Sequence, residues 1–122
     1  MTIRGIRGAT TVQADQPEFI LAATQELLQA IFFANKGLHT EDISSILFTM
    51  TNDLASVHPA LAARQMGWDR VPMMCVNELY VPGSLPRCIR VLLEWNTETK
   101  QKNIRHVYLH DATTLRPDLA AS

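Results

Sequence analysis

Apolar positions along the chain switch between two periods, and each switch marks an element. Residues 2–9 alternate, with Ile3, Gly5 and Arg7 on one face and Arg4, Ile6 and Gly8 on the other, which predicts a strand. From Phe19 to Asn35 the spacing becomes helical: Ile20, Ala23, Leu27, Ala30, Ile31 and Ala34 form one stripe. Asp15-Gln16-Pro17-Glu18 supplies a capping residue, an early proline and an early acid for that helix, and Gly37 closes it. Thr40 to Asp42 predicts a short turn. Ile43 to Thr51 reads as a buried strand, followed by a loop over Thr51-Asn52-Asp53. Pro59 to Met66 predicts a short helix closed by Gly67, and Val71 to Leu79 a strand carrying Cys75 and Glu78. Pro82, Gly83 and Pro86 make Tyr80 to Arg87 a loop. Cys88 to Trp95 is an apolar strand interrupted by Arg90. A polar connection, Asn96 to Asn103, leads to a last strand over Ile104 to His110, with Tyr108 on the face of Ile104 and His106. The tail from Leu115 to Leu119 shows little regular pattern.

Five strands and two main helices in 122 residues predict one domain over 1–122. The expected class is α+β, a mixed five-stranded sheet covered by helices on one face. The other face must also be buried, and association of subunits is a natural way to do so.

Charge narrows the function. The net charge is -1 and the pI about 6.4, which argues against a nucleic-acid binder. No run reaches transmembrane length and no apolar leader follows the N-terminal charges, so a cytoplasmic protein without a membrane partner is expected. Cys75 and Cys88 make no Cys-x-x-Cys pair. His106 and His110 would stand roughly 13 Å apart along a strand, too far for one metal ion. There is no P-loop, no dinucleotide fingerprint and no nucleophile elbow.

What stands out is arginine, with eight against three lysines. A guanidinium suits bidentate binding of carboxylate or phosphate. Arg7 sits in a strand that should be core, and a charge on an inward face is costly unless paired or met by an anion. The flanking glycines leave room for a close approach to the backbone. Arg90 interrupts an apolar strand, sharing a face with Cys88 and Leu92. It is either an edge-strand arginine reaching water or a preorganised cation in a low-dielectric pocket. Glu78 follows Cys75 by three residues, so strict alternation puts them on opposite faces, and a bulge or twist is needed if both serve one pocket. Taken singly, Cys75 is a small buried residue, Tyr108 a core aromatic, and Arg64 and Arg116 solvated cations. Together they describe an arginine-rich site with one carboxylate and no evident nucleophile, which suits binding and electrostatic catalysis.

Five runs carry a resemblance: Ile3 to Thr11 (IRGIRGATT), Cys75-x-x-Glu78, Cys88 to Val91 (CIRV), Ile104 to Leu109 (IRHVYL) and Leu115 to Leu119 (LRPDL). In this order, over nearly the whole chain, they resemble the small trimeric, monofunctional bacterial chorismate mutases. The resemblance implies a homotrimeric pseudo-α/β barrel with three active sites in clefts between subunits. It implies conversion of chorismate to prephenate, on the route to phenylalanine and tyrosine, with no cofactor and no metal. By the same resemblance Arg7 grips a substrate carboxylate, and Arg90 stands at the breaking ether oxygen and a neighbouring carboxylate. Glu78 and Cys75 contact the ring-hydroxyl side, and Tyr108 contacts a carboxylate. Arg64 and Leu115 form the pocket rim, and Arg116 is an entrance arginine in the tail. His58 stands where phenylalanine is common and Leu61 where a lysine can occur. Both would line the entrance from the neighbouring subunit and bear on affinity and pH response. The sequence ends at Ser122, soon after Asp118, which predicts a smaller lid.

Three other functions share parts of this pattern. One is a trimeric imine or enamine deaminase, which needs a positioned water and fits the Arg90 strand and the tail motif poorly. Another is a binding module for a small dicarboxylate, which turnover would distinguish. The last is a structural trimer whose arginines pair with acids across the interface.

Overall fold

The alternating segments join into one sheet and the helical stripe packs against it. The computed structural model describes residues 2–118, so the end of the tail, from Leu119 to Ser122, lies outside the described residues. The strands are β1 (Ile3–Thr11), β2 (Ile43–Met50), β3 (Met73–Asn77), β4 (Cys88–Asn96) and β5 (Val107–Tyr108), and the helices α1 (Pro17–Ala34) and α2 (Ala60–Gln65). Their spatial order is β3-β2-β4-β1-β5. β4 is antiparallel to both β1 and β2, while β3 is parallel to β2 and β5 parallel to β1. The chain thus forms the expected mixed five-stranded α+β sheet.

One face of the sheet is the core. Ile6, Ile46, Phe48, Val91 and Leu93 point toward α1, where they meet Leu27, Leu28 and Ile31, and Ala63 of α2 joins them. Fully burying a side chain of this size contributes about 1.5–3 kcal/mol. The stripe on α1 differs slightly from the expected one. Thr24 and Leu28 are buried in place of Ala30 and Ala34, and the Thr24 hydroxyl is satisfied by donating to the Ile20 carbonyl at 2.7 Å.

The glycines of β1 do a different job from the one expected. A Cβ on Gly8 would lie 2.8 Å from Ile31 Cδ1, 3.2 Å from Leu27 Cδ1 and 3.1 Å from Val91 Cγ2. The missing side chain admits the helix, and the inward face of β1 is that of Ile6 and Gly8. Arg7 points the other way, onto the open face, where it is exposed. The opposite face of β1 carries the core, and the one charge on it, Arg4, sits half-buried at the strand's start, where its Nε donates to the Thr99 carbonyl at 3.1 Å.

The last strand is also shorter than its sequence pattern. β5 has two residues, and Ile104 joins the helix-side core while Tyr108 packs on the other side of the sheet. Side chains replace the ladder before it: buried Asn35 accepts from the Arg105 N–H and donates to the Arg105 carbonyl, both at 2.9 Å. After it, His110–Thr114 winds into a 3₁₀ turn. Asp15 is not the cap of α1, a position held by Gln16. Its carboxylate instead accepts the N–H groups of Ala55 and Ser56 at 3.0 Å, tying the loop after β2 to the start of the helix.

Candidate active site

The uncovered face of the sheet presents two cross-strand rows. Register places Arg7 opposite Leu92, Leu92 opposite Leu47, and Leu47 opposite Met74. In the next row Tyr108 pairs with Ala9, Ala9 with Arg90, Arg90 with Thr49, and Thr49 with Val76. Arg7 and Arg90 are therefore diagonal neighbours on adjacent strands, a relation that long side chains can span. β4 lies between β1 and β2, so Arg90 is not an edge-strand arginine.

Glu78 reaches this face from the end of β3. Its N–H donates to the Met50 carbonyl at 2.8 Å, which carries the β2–β3 ladder one residue further. Simple alternation then aims the carboxylate at Arg90. Glu78 Oε1 accepts from Thr49 Oγ1 at 2.6 Å and lies 3.5 Å from Arg90 Nε. The arginine side chain is 45% exposed, and an ion pair this open is worth about 0–1 kcal/mol. A ligand carboxylate can compete with it.

These side chains wall a groove of about 350 Å³. Arg7, Thr49, Glu78 and Arg90 stand along it with Leu47 and Leu92, and Tyr108, Leu115 and Arg116 close one end. Beneath that end lies a small apolar cluster of Ala9, Cys88, Tyr108 and Ala112, with Leu85 and Leu115 packed on it. Burial pushes the Cys88 thiol up, against the opposing pull of Arg90, so it stays a neutral part of the floor. The start of β4 is pinned beside it. Both Asp53 oxygens accept the Arg87 N–H, at 3.0 and 3.1 Å, and Thr51 Oγ1 accepts the Cys88 N–H at 2.9 Å. Arg116 makes a two-point pair with Asp118 at 2.9 and 3.0 Å, which holds the Asp118 carboxyl below its ordinary range.

The remaining candidates lie elsewhere in the chain. Cys75 packs against the helix-side core, on the opposite face of β3 from Glu78's side, with no bulge between them. With His58 it lines a separate pocket of about 370 Å³. Arg64 is exposed in the last turn of α2, and Leu61 is on the same helix. One chain therefore divides the sequence-derived set into a groove group (Arg7, Glu78, Arg90, Tyr108, Leu115 and Arg116) and a helix-side group (His58, Arg64 and Cys75).

Two residues that the sequence did not single out belong with the groove. Thr49 fixes the Glu78 carboxylate. His106 accepts the Arg7 backbone N–H through Nδ1 at 2.9 Å. Thr49 could have been found by alternation, since it shares a face with Leu47, but only once the pairing with Arg90 is known. Among the described residues no three His, Cys, Asp or Glu side chains are grouped to hold a metal ion. No described helix is long and apolar enough to cross a membrane.

An arginine-lined groove on an open sheet face is compatible with many folds and reactions. The sequence model of the type I chorismate mutases matches residues 3–119. The chain belongs to that family. Type I chorismate mutases are isomerases, and relatives bearing the name match along nearly the whole length. The chorismate mutase AroH of Thermus thermophilus is 53% identical over 120 residues, covering 98% of both chains. The chorismate mutase AroH of Bacillus subtilis strain 168 is 48% identical over 123 residues, covering 98% of this chain and 94% of that protein. The solved structure of a chorismate mutase from Clostridium thermocellum superposes with a TM-score of 0.88 at 50% identity, covering 90% of this chain and 97% of that one.

Proposed function

We propose that this chain converts chorismate to prephenate by a concerted [3,3] rearrangement, in the route to phenylalanine and tyrosine, and that it does so in a homotrimer. The observation that carries the site assignment is the meeting of Arg7, Arg90 and Glu78 on one uncovered face. In the reaction a C–O bond breaks as a C–C bond forms, and no proton moves, so a site without an acid–base dyad suffices. Chorismate is a dianion that favours extended shapes in water. Arg7, with Tyr108 near it, holds a carboxylate and so keeps the enolpyruvyl group folded over the ring, which lowers the barrier by orientation. In the transition state the ether oxygen gains negative charge and the ring fragment becomes electron-poor. Arg90 meets the first and Glu78 the second, so both bind the transition state more strongly than the substrate.

The division of the candidate residues supports clefts shared between subunits, and the number three comes from the resemblance. His58, Arg64 and Cys75 lie away from the groove of their own chain, and the open face leaves Ile3, Leu47, Met74, Val76 and Leu92 exposed. A neighbouring copy that covers this face brings its helix-side group to the groove. Each cleft then takes Arg7, Glu78, Arg90, Tyr108, Leu115 and Arg116 from one subunit and His58, Arg64 and Cys75 from the next.

The test is the loss of chorismate absorbance on adding purified protein, beside an Arg90→Ala control. Decay to prephenate that collapses in the control supports the reading. A folded protein that leaves chorismate untouched overturns it and favours a module that binds a dicarboxylate without turnover.

A further inference from the structure

We propose that His106 is a positioning residue for the groove, setting Arg7 and Tyr108 through the hydrogen bond its Nδ1 accepts from the Arg7 backbone. This rests on the reading of Arg7 as a substrate clamp. The β1–β5 ladder begins only at Gly8, paired with Val107, and continues to Ala9, paired with Tyr108. One residue earlier, the Arg7 N–H is met by a side chain, the His106 ring, at 2.9 Å. The stretch carrying that ring is itself fixed from behind. Asn35, buried at the end of α1, grips both backbone groups of Arg105 and also donates to the Ile31 carbonyl at 2.9 Å. A chain of contacts therefore runs from the end of α1, through Arg105 and His106, to the backbone of Arg7. Tyr108 follows two residues after the ring. Both groove residues depend on where that edge is held.

The bond requires a neutral ring with its proton on Nε2. Protonating Nδ1 would set one donor against another. The charged groups facing the ring oppose it too: Arg7 from β1 and Arg116 from the segment after the 3₁₀ turn, with Arg105 adjacent in the chain. Burial first, then the charges of Arg7 and Arg116, hold the ring below its ordinary 6.5. With the folded value depressed, the bond is intact above 6.5 and is lost as the pH falls through the folded value.

Two substitutions separate position from mere packing. Asn carries a carbonyl oxygen at nearly the place of Nδ1 and does not titrate, whereas Leu fills space without an acceptor. His106→Leu is expected to lower kcat/KM for chorismate by roughly tenfold or more, and His106→Asn by only a few-fold. The acid limb of the wild-type pH profile should be absent in His106→Asn. Nitrogen-15 NMR of the wild-type imidazole should show the Nε2–H tautomer, titrating below 6.5 and moving upward in Arg7→Ala. Equal rates for wild type and His106→Leu, equal losses in both variants, or an Nδ1–H tautomer would each overturn the proposal. A wild-type protein with no turnover sinks the chorismate reading and the positioning role together, and the NMR result then still decides whether the bond exists.

Discussion

At the scale of single residues the groove depends on charge geometry more than on charge count. Arg90 sits on a central strand beside a carboxylate that is already held by Thr49. Replacing it with alanine should raise the activation barrier by about 3–4 kcal/mol, by comparison with loss of an oxyanion donor. Arg90→Lys should also be severe, because the planar fork is lost while the charge stays. Steady-state kcat and kcat/KM on chorismate check both, and near-normal turnover in the lysine variant would remove Arg90 from the reaction centre. The arginines were legible in the sequence because they interrupt apolar strands. Thr49 was not, because its role depends on facing Arg90 across two strands that are far apart in sequence. The side to which Arg7 points was misjudged for a related reason. Alternation defines two faces but does not say which one a helix covers, and the decisive residue, Gly8, is recognised only once Leu27 and Ile31 are seen against it.

Between elements, two junctions hold the site in register. The first is the seat of α1 on β1. Gly8→Ala places a methyl group 2.8 Å from Ile31 Cδ1, so the Ile31 and Leu27 side chains, or the helix that carries them, must shift. The expected cost is about 1–3 kcal/mol, read from denaturant unfolding. An unchanged midpoint would mean that Ile31 and Leu27 re-pack around the methyl group at no cost. The second is Asp15, whose carboxyl is held below its ordinary 3.8 chiefly by the Ala55 N–H it accepts. Because the folded value is depressed, its contribution is complete above 3.8 and disappears as the pH falls through the folded value. Asp15→Asn should therefore melt earlier than wild type near neutrality, and the difference should close in strong acid. A constant gap across that range would assign the effect to something other than this carboxylate. Helix and strand bodies were readable from periodicity to within a residue or two. The failures came at β5 and Asp15, where side chains bond to backbone across long sequence separations. Local patterns carry no trace of such bonds.

For the whole molecule, the question is how many chains make one site. If each cleft joins the groove of one subunit to the helix-side residues of the next, Arg90→Ala and Arg64→Ala each cripple every cleft when expressed alone. Mixed, unfolded and refolded together, they should regain activity at about a quarter of the clefts, the share with both intact contributions in a randomly assembled ring. Mixtures no more active than their parents would place both residues in one chain's site. If the uncovered face is the subunit interface, Leu47→Asp or Leu92→Asp should shift the protein toward monomer in sedimentation and abolish turnover, since each puts a charge on that face.

The apolar cluster under the groove has a consequence in time. Ala9, Cys88, Tyr108 and Ala112 are buried together, but they form a cluster apart from the main core between sheet and helices. A small separate cluster can open while the larger one stays closed. Its outer members, Leu85 and Leu115, come from the 80–87 loop and the tail, so their release would unroof one end of the groove without melting the sheet. Amide exchange in Ala112 to Leu115 should accordingly outpace that in Ile89 to Leu93. Opening of that end is thus governed by a handful of side chains rather than by the stability of the fold.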